Sequence, residues 1–104
     1  MAINKPLDIT DEQREIIQLL IKKYLPDTLV WAFGSRVQYK AKKESDLDLA
    51  AFIKPEQNSD FFELKDAFEE SDLPFRVDLL DWNKIPENFK ENIEAEYMVI
   101  QDNK

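Results

Sequence analysis

The chain has 104 residues, 43 % of them hydrophobic and 35 % charged, the proportions of an ordinary globular domain with one modest core. Cysteine and histidine are both absent, which excludes disulfides, thiolate metal sites and an imidazole base, and leaves carboxylates as candidate metal ligands. A formal net charge of −8 argues against nonspecific binding to nucleic acid or to an anionic membrane.

The opening stretch, MAINKPLDITDEQ, has no apolar h-region, and no segment reaches the roughly 18 apolar residues of a membrane span, so a cytoplasmic chain is expected. With no repeat or linker, residues 1–104 read as a single domain. Thr10 followed by Gln13 predicts a capping box that opens a helix to about Tyr24, with Ile16, Ile17, Leu20 and Tyr24 at helical spacing. LVWAF (29–33) predicts a buried strand centred on Trp31, ended by Gly34, the only glycine. A short helical turn is expected over 35–40, then a loop through Ser45.

DLDLAAFI (46–53) predicts a second strand and KPEQNS a loop. Asp60 and Glu63 open a helix to about Glu70 that buries Phe61, Leu64 and Phe68. FRVDLLDW (75–82) predicts a third strand, with Trp82 and Phe75 open to a place in the core or in a partner-binding patch. Pro86 suits the start of a last helix whose apolar face is Phe89, Ile93, Tyr97 and Ile100. The order α-β-α-β-α-β-α implies an α/β (α+β) fold: a small mixed β-sheet of three or more strands with helices packed on it.

Residues i and i+2 of a strand point the same way, so Asp46 and Asp48 project together while Leu47 and Leu49 face the other side. Two bare anions about 5 Å apart repel by a few kcal/mol at an effective dielectric of about 20. A divalent cation reverses that sign, and Mg²⁺ is commonly held by one or two carboxylates plus substrate phosphates. A two-ion phosphoryl or nucleotidyl transfer site needs a third carboxylate. Asp78, mid-strand between Val77 and Leu79, is the natural candidate; Asp81 competes, but sits at the strand's end and points to the opposite face. The three meet only if the second and third strands are neighbours.

Gly34 and Ser35 suit the other half of such a site. A tight strand-to-helix turn exposes N–H groups to a phosphate, glycine permits close approach, and the serine hydroxyl adds a donor. Arg36 is expected to neutralise the same triphosphate, at the head of a basic run that includes Lys40, Lys42 and Lys43.

Gly34-Ser35, ten intervening residues and Asp46-Leu47-Asp48 together match the GSx10DxD signature, and the chain thereby resembles the DNA polymerase β-like nucleotidyltransferases. FGSRV, SDLDLA and the downstream RVDLLDW look more narrowly like the minimal nucleotidyltransferases, antitoxins that accompany HEPN toxins; the resemblance runs from the first helix to the last. It implies that Gly34 and Ser35 hold ATP, that Asp46, Asp48 and Asp78 ligate Mg²⁺ (or Mn²⁺), and that Asp78 polarises the acceptor hydroxyl. It implies transfer of AMP to a tyrosine of a HEPN ribonuclease toxin in a hetero-oligomer, with an open site completed by that partner. Where such families continue GS with Arg-x-Arg-Gly, this chain keeps Arg36 but has Gln38 and Tyr39.

Two other function classes fit the same residues. An acidic protein can neutralise a basic partner by surface complementarity alone, as a non-catalytic binding module. A free-standing small-molecule nucleotidyltransferase carries a similar motif, but in a much longer chain. An aspartyl-phosphate phosphatase would end the strand after DLD, whereas LAAFI continues it.

Overall fold

The computed structural model describes residues 7–103; Met1–Pro6, part of the stretch without an h-region, lie outside the described residues. Helix α1 (Asp11–Tyr24) opens with the expected capping box: Gln13 N–H donates to Thr10 Oγ1 at 3.1 Å, and Thr10 N–H donates to Gln13 Oε1 at 2.9 Å. Ile17 and Ile21 are its buried residues. Strand β1 (Val30–Phe33) follows, then a single helical turn, α2 (Ser35–Gln38), and strand β2 (Leu47–Ala51). Where a loop was expected, a 3-10 turn over Pro55–Gln57 runs into α3 (Asn58–Glu69), which starts two residues before Asp60. Strand β3 (Val77–Asp81), a second 3-10 turn over Trp82–Lys84 and helix α4 (Glu87–Ala95) complete the expected series.

One element departs from the sequence reading. The last helix was expected to run through Tyr97 to Ile100; it ends at Ala95, and Met98–Gln101 forms a further strand, β4. Glu96 is extended (φ −155°), and beyond it Met98 and Ile100 are buried while Val99 is exposed, an alternation of two that a helix cannot give. Phe89, Ile93, Tyr97 and Ile100 keep helical spacing by coincidence: Tyr97 packs on the α4 side of the sheet and Ile100 on the side of α1 and α3. Pairing decided the outcome: β4 supplies the antiparallel partner for the second edge of β1.

The sheet order is β3-β2-β1-β4, with β1 antiparallel to β2 and β4, and β2 parallel to β3. The parallel pair requires a crossover, and α3 supplies it. One sheet face carries Val30, Ala32, Leu47, Leu49 and Leu79, and packs on Ile17 and Ile21 of α1 and on Phe61, Leu64 and Phe68 of α3. The other carries Phe33 and Ala50 and packs on Ile93 of α4. Trp31, expected in the core, is only half-buried on this second face: its ring stacks on Tyr97 at 3.9 Å and meets Phe52 and Trp82 edge-on. Among the described residues, no helix is long and apolar enough to cross a membrane.

Candidate active site

Strand alternation sends Asp48 and Asp78 to the α4 face while their neighbours Leu47, Leu49 and Leu79 fill the core beneath α1 and α3 and Val77 packs at its margin. Because β2 and β3 are parallel neighbours with Leu47 opposite Val77, Asp48 stands directly opposite Asp78. Phe33, the last residue of β1, is the partner of Asp48 on its other side, so the turn at Gly34 lies beside the same carboxylate. Asp46 precedes β2 by one residue, and its Oδ2 lies 3.9 Å from Arg76 Nε in a solvent-exposed ion pair. Such a pair contributes little and leaves the carboxylate available.

Gly34 is required twice over. Its φ of +83° and ψ of −157° fall in a region open essentially to glycine alone. A Cβ there would also collide with Oδ2 of Asp48. The backbone therefore touches the acidic cluster at the one position that has no side chain. Burial, then the Asp78 carboxylate, then that of Asp46, push the Asp48 carboxyl up from 3.8 to about 6. Asp81 takes no part: it accepts from Asn83 N–H at 3.0 Å and caps the turn after β3.

The Arg36 side chain lies elsewhere than the sequence suggested. Instead of reaching toward a phosphate, its guanidinium is buried in the loop that follows α2. Nε and Nη2 donate to Ser45 O at 3.1 and 2.8 Å, Nη2 also to Lys43 O at 3.1 Å, and Nη1 to Asp8 O at 3.0 Å. The plane packs over the Phe75 ring with its carbon 4.2 Å from the centroid. Loop carbonyls need donors once water is excluded, and a forked cation supplies several at once. Arg36 thus fixes the loop that delivers Asp46. Tyr39, where the family motif has glycine, closes α2 in the left-handed conformation (φ 58°).

The sequence model of the family described as Polymerase beta, Nucleotidyltransferase matches residues 14–104. The chain belongs to this family. It is 54 % identical over 99 residues to the probable protein adenylyltransferase MntA of Haemophilus influenzae, a match covering 92 % of this chain and 85 % of that protein. The crystal structure of a toxin–antitoxin with AMP-PNP shares its fold at a TM-score of 0.67 and 22 % identity, covering 86 % of this chain and 73 % of the other. A mutant of the toxin–antitoxin MntA–HpeT gives a TM-score of 0.66 at 20 % identity, with the same coverages of 86 % and 73 %.

For a polymerase β nucleotidyltransferase the donor set is chemically apt: hard oxygen ligands with no competing sulfur or imidazole. Among the described residues no three acidic groups close into a ready-made metal cage. Burial contributes most to the raised Asp48 carboxyl; the remainder, the charge of Asp78 and then of Asp46, is what a divalent cation relieves. Phe75 and Asp8 support the site through Arg36, and nothing local in the sequence signals either contact, because 39 and 28 positions separate them from Arg36.

Proposed function

We propose that the chain is a Mg²⁺-dependent protein adenylyltransferase that transfers AMP from ATP to a tyrosine hydroxyl of a HEPN-type ribonuclease toxin, and so acts as its antitoxin. The observation that carries this reading is the register pairing of Asp48 with Asp78 beside the turn at Gly34. The relative from Haemophilus influenzae, an adenylyltransferase by name, and the toxin–antitoxin folds support it.

In this reading Gly34 and Ser35 receive the triphosphate on the serine hydroxyl and on the N–H groups that open α2, ahead of Val37 and Gln38, whose own N–H groups donate to Gly34 O. Asp46 and Asp48, with Asp78 completing the set, hold Mg²⁺ (or Mn²⁺). The bound ion supplies charge neutralisation between the phosphates. Asp78 accepts the hydroxyl proton as the acceptor oxygen attacks the α-phosphorus; the bond to the bridging oxygen breaks and pyrophosphate leaves. Arg36 acts at one remove, as a positioning residue for the 40–46 loop. The site is an open shelf on a single domain, completed by the toxin in the cytoplasm. An added AMP places bulk and negative charge where RNA phosphates must bind a ribonuclease.

The alternative, an acidic chain that silences its partner by binding alone, has the net charge of −8 in its favour. Incubating the toxin with the chain, labelled ATP and Mg²⁺ separates the two. Label on the toxin with the native chain, and none with Asp46→Asn/Asp48→Asn, is the expected result. A double variant that still silences the toxin as well as the native chain does would mean that binding suffices.

A further inference from the structure

The helical layer on the sheet face away from Asp48 carries a surface that the transfer chemistry does not use. Between α1 and α3 lies an open groove of about 680 Å³. Its floor is apolar: Ile16, Leu20 and Ala67 are half-buried, and Leu19 is 61 % exposed, more than any other large hydrophobic side chain among the described residues. A lone exposed leucine is ordinary; one continuous with an apolar groove is not.

The charged residues that line the groove are all acidic, and a cation beside it, Lys23, stands 5.3 Å from the ring of Tyr24 at the end of α1. Glu63, Asp66, Glu70 and Asp72 line the groove, all four exposed, and no Lys or Arg is among its lining residues. α3 also ends here with Glu69 and Glu70 and has no basic residue in its last turn. Anions at the negative end of a helix dipole oppose it, so both the rim and the helix end call for cations from outside. The groove is walled by two helices, the form that accepts an amphipathic helix by its apolar stripe.

We propose that this groove docks a basic amphipathic helix of the toxin, with apolar side chains on Leu19 and Leu20 and Lys or Arg side chains on the acidic rim. The inference rests on the reading above that the partner is a toxin, and it assigns the contact surface. The toxin then spans an edge of the sheet, with its docking helix in the α1–α3 groove and its acceptor tyrosine at the Asp78 face, so docking and nucleotide binding are separable by mutation.

The test is the dissociation constant of the full-length toxin for four forms of the chain. These are the native chain, Leu19→Asp, Glu63→Lys/Asp66→Lys/Glu70→Lys, and a control with the same charge change on exposed residues elsewhere, Glu56→Lys/Glu91→Lys/Asp102→Lys. Circular dichroism and AMP-PNP binding, both expected unchanged, report fold and site. Leu19→Asp and the groove reversal should each weaken toxin binding by at least about tenfold more than the control. Equal losses in groove and control variants would reduce the effect to net charge and overturn the proposal, as would native affinity in Leu19→Asp. If the native chain forms no complex with the toxin, the partner reading itself fails, and the groove assignment with it.

Discussion

Asp48 and Asp78 face each other across two parallel strands, and the lone glycine of the chain lies against the first of them. A half-buried carboxylate held against a backbone turn, with the charges of Asp78 and Asp46 nearby, is unfavourable by itself.

Gly34→Ala meets two obstacles at once, a φ of +83° and the Asp48 carboxylate. The backbone strain alone costs about 1–3 kcal/mol. Relief by pushing Asp48 aside would move the carboxylate proposed to hold Mg²⁺. Both a lower thermal midpoint and a loss of AMP transfer are expected, measured by calorimetry and by labelled-ATP turnover.

The Asp48 carboxyl at about 6 lies above the ordinary 3.8, so between those values the folded chain keeps a proton that the unfolded chain has lost. The associated stability is full below 3.8 and is lost as pH rises through about 6. Asp48→Asn should therefore be more stable than the native chain at pH 7.5, by about 1 kcal/mol after allowance for partial exposure. The difference should vanish in thermal melts near pH 4. Adding Mg²⁺ should raise the native midpoint at pH 7.5 and leave that of Asp48→Asn nearly unchanged.

Asp78→Asn keeps the shape of the site and removes the proposed proton acceptor together with one proposed Mg²⁺ ligand. We expect kcat to fall by about 10²–10⁴ with little change in KM for ATP. The same substitution removes a negative neighbour, so the Asp48 carboxyl should titrate lower, by NMR, than in the native chain.

Arg36→Lys keeps the charge but loses the fork that holds the carbonyls of Asp8, Lys43 and Ser45. A loss of about 2 kcal/mol in denaturant unfolding is expected. A phosphate ligand would behave in the opposite way, with KM for ATP raised and stability intact.

The parts of the fold that rest on local signals were legible in the sequence. Thr10 and Gln13 announced α1, the alternation in DLDLAA announced β2, and GSx10DxD with the carboxylate in RVDLL marked residues that the fold brings side by side, Gly34, Asp48 and Asp78. What depended on distant partners was not. Nothing near Asp48 says that β3 is its neighbour; the α3 crossover makes it so. β4 was hidden because Tyr97 and Ile100 continue a helical spacing, and only the open edge of β1 selects the strand. Arg36 follows the Gly34-Ser35 turn directly and has the charge of a ligand, but the carbonyls of a loop seven to nine residues later claim its donors.

The central claim concerns where a cation and a triphosphate sit, and a crystal of the chain grown with Mn²⁺ and AMP-PNP addresses it most directly. The account predicts an anomalous peak bound by Asp46 and Asp48, on the side toward Asp78, with the triphosphate against Gly34 and Ser35. A metal bound elsewhere, or a triphosphate lying away from the Gly34 turn, would contradict it.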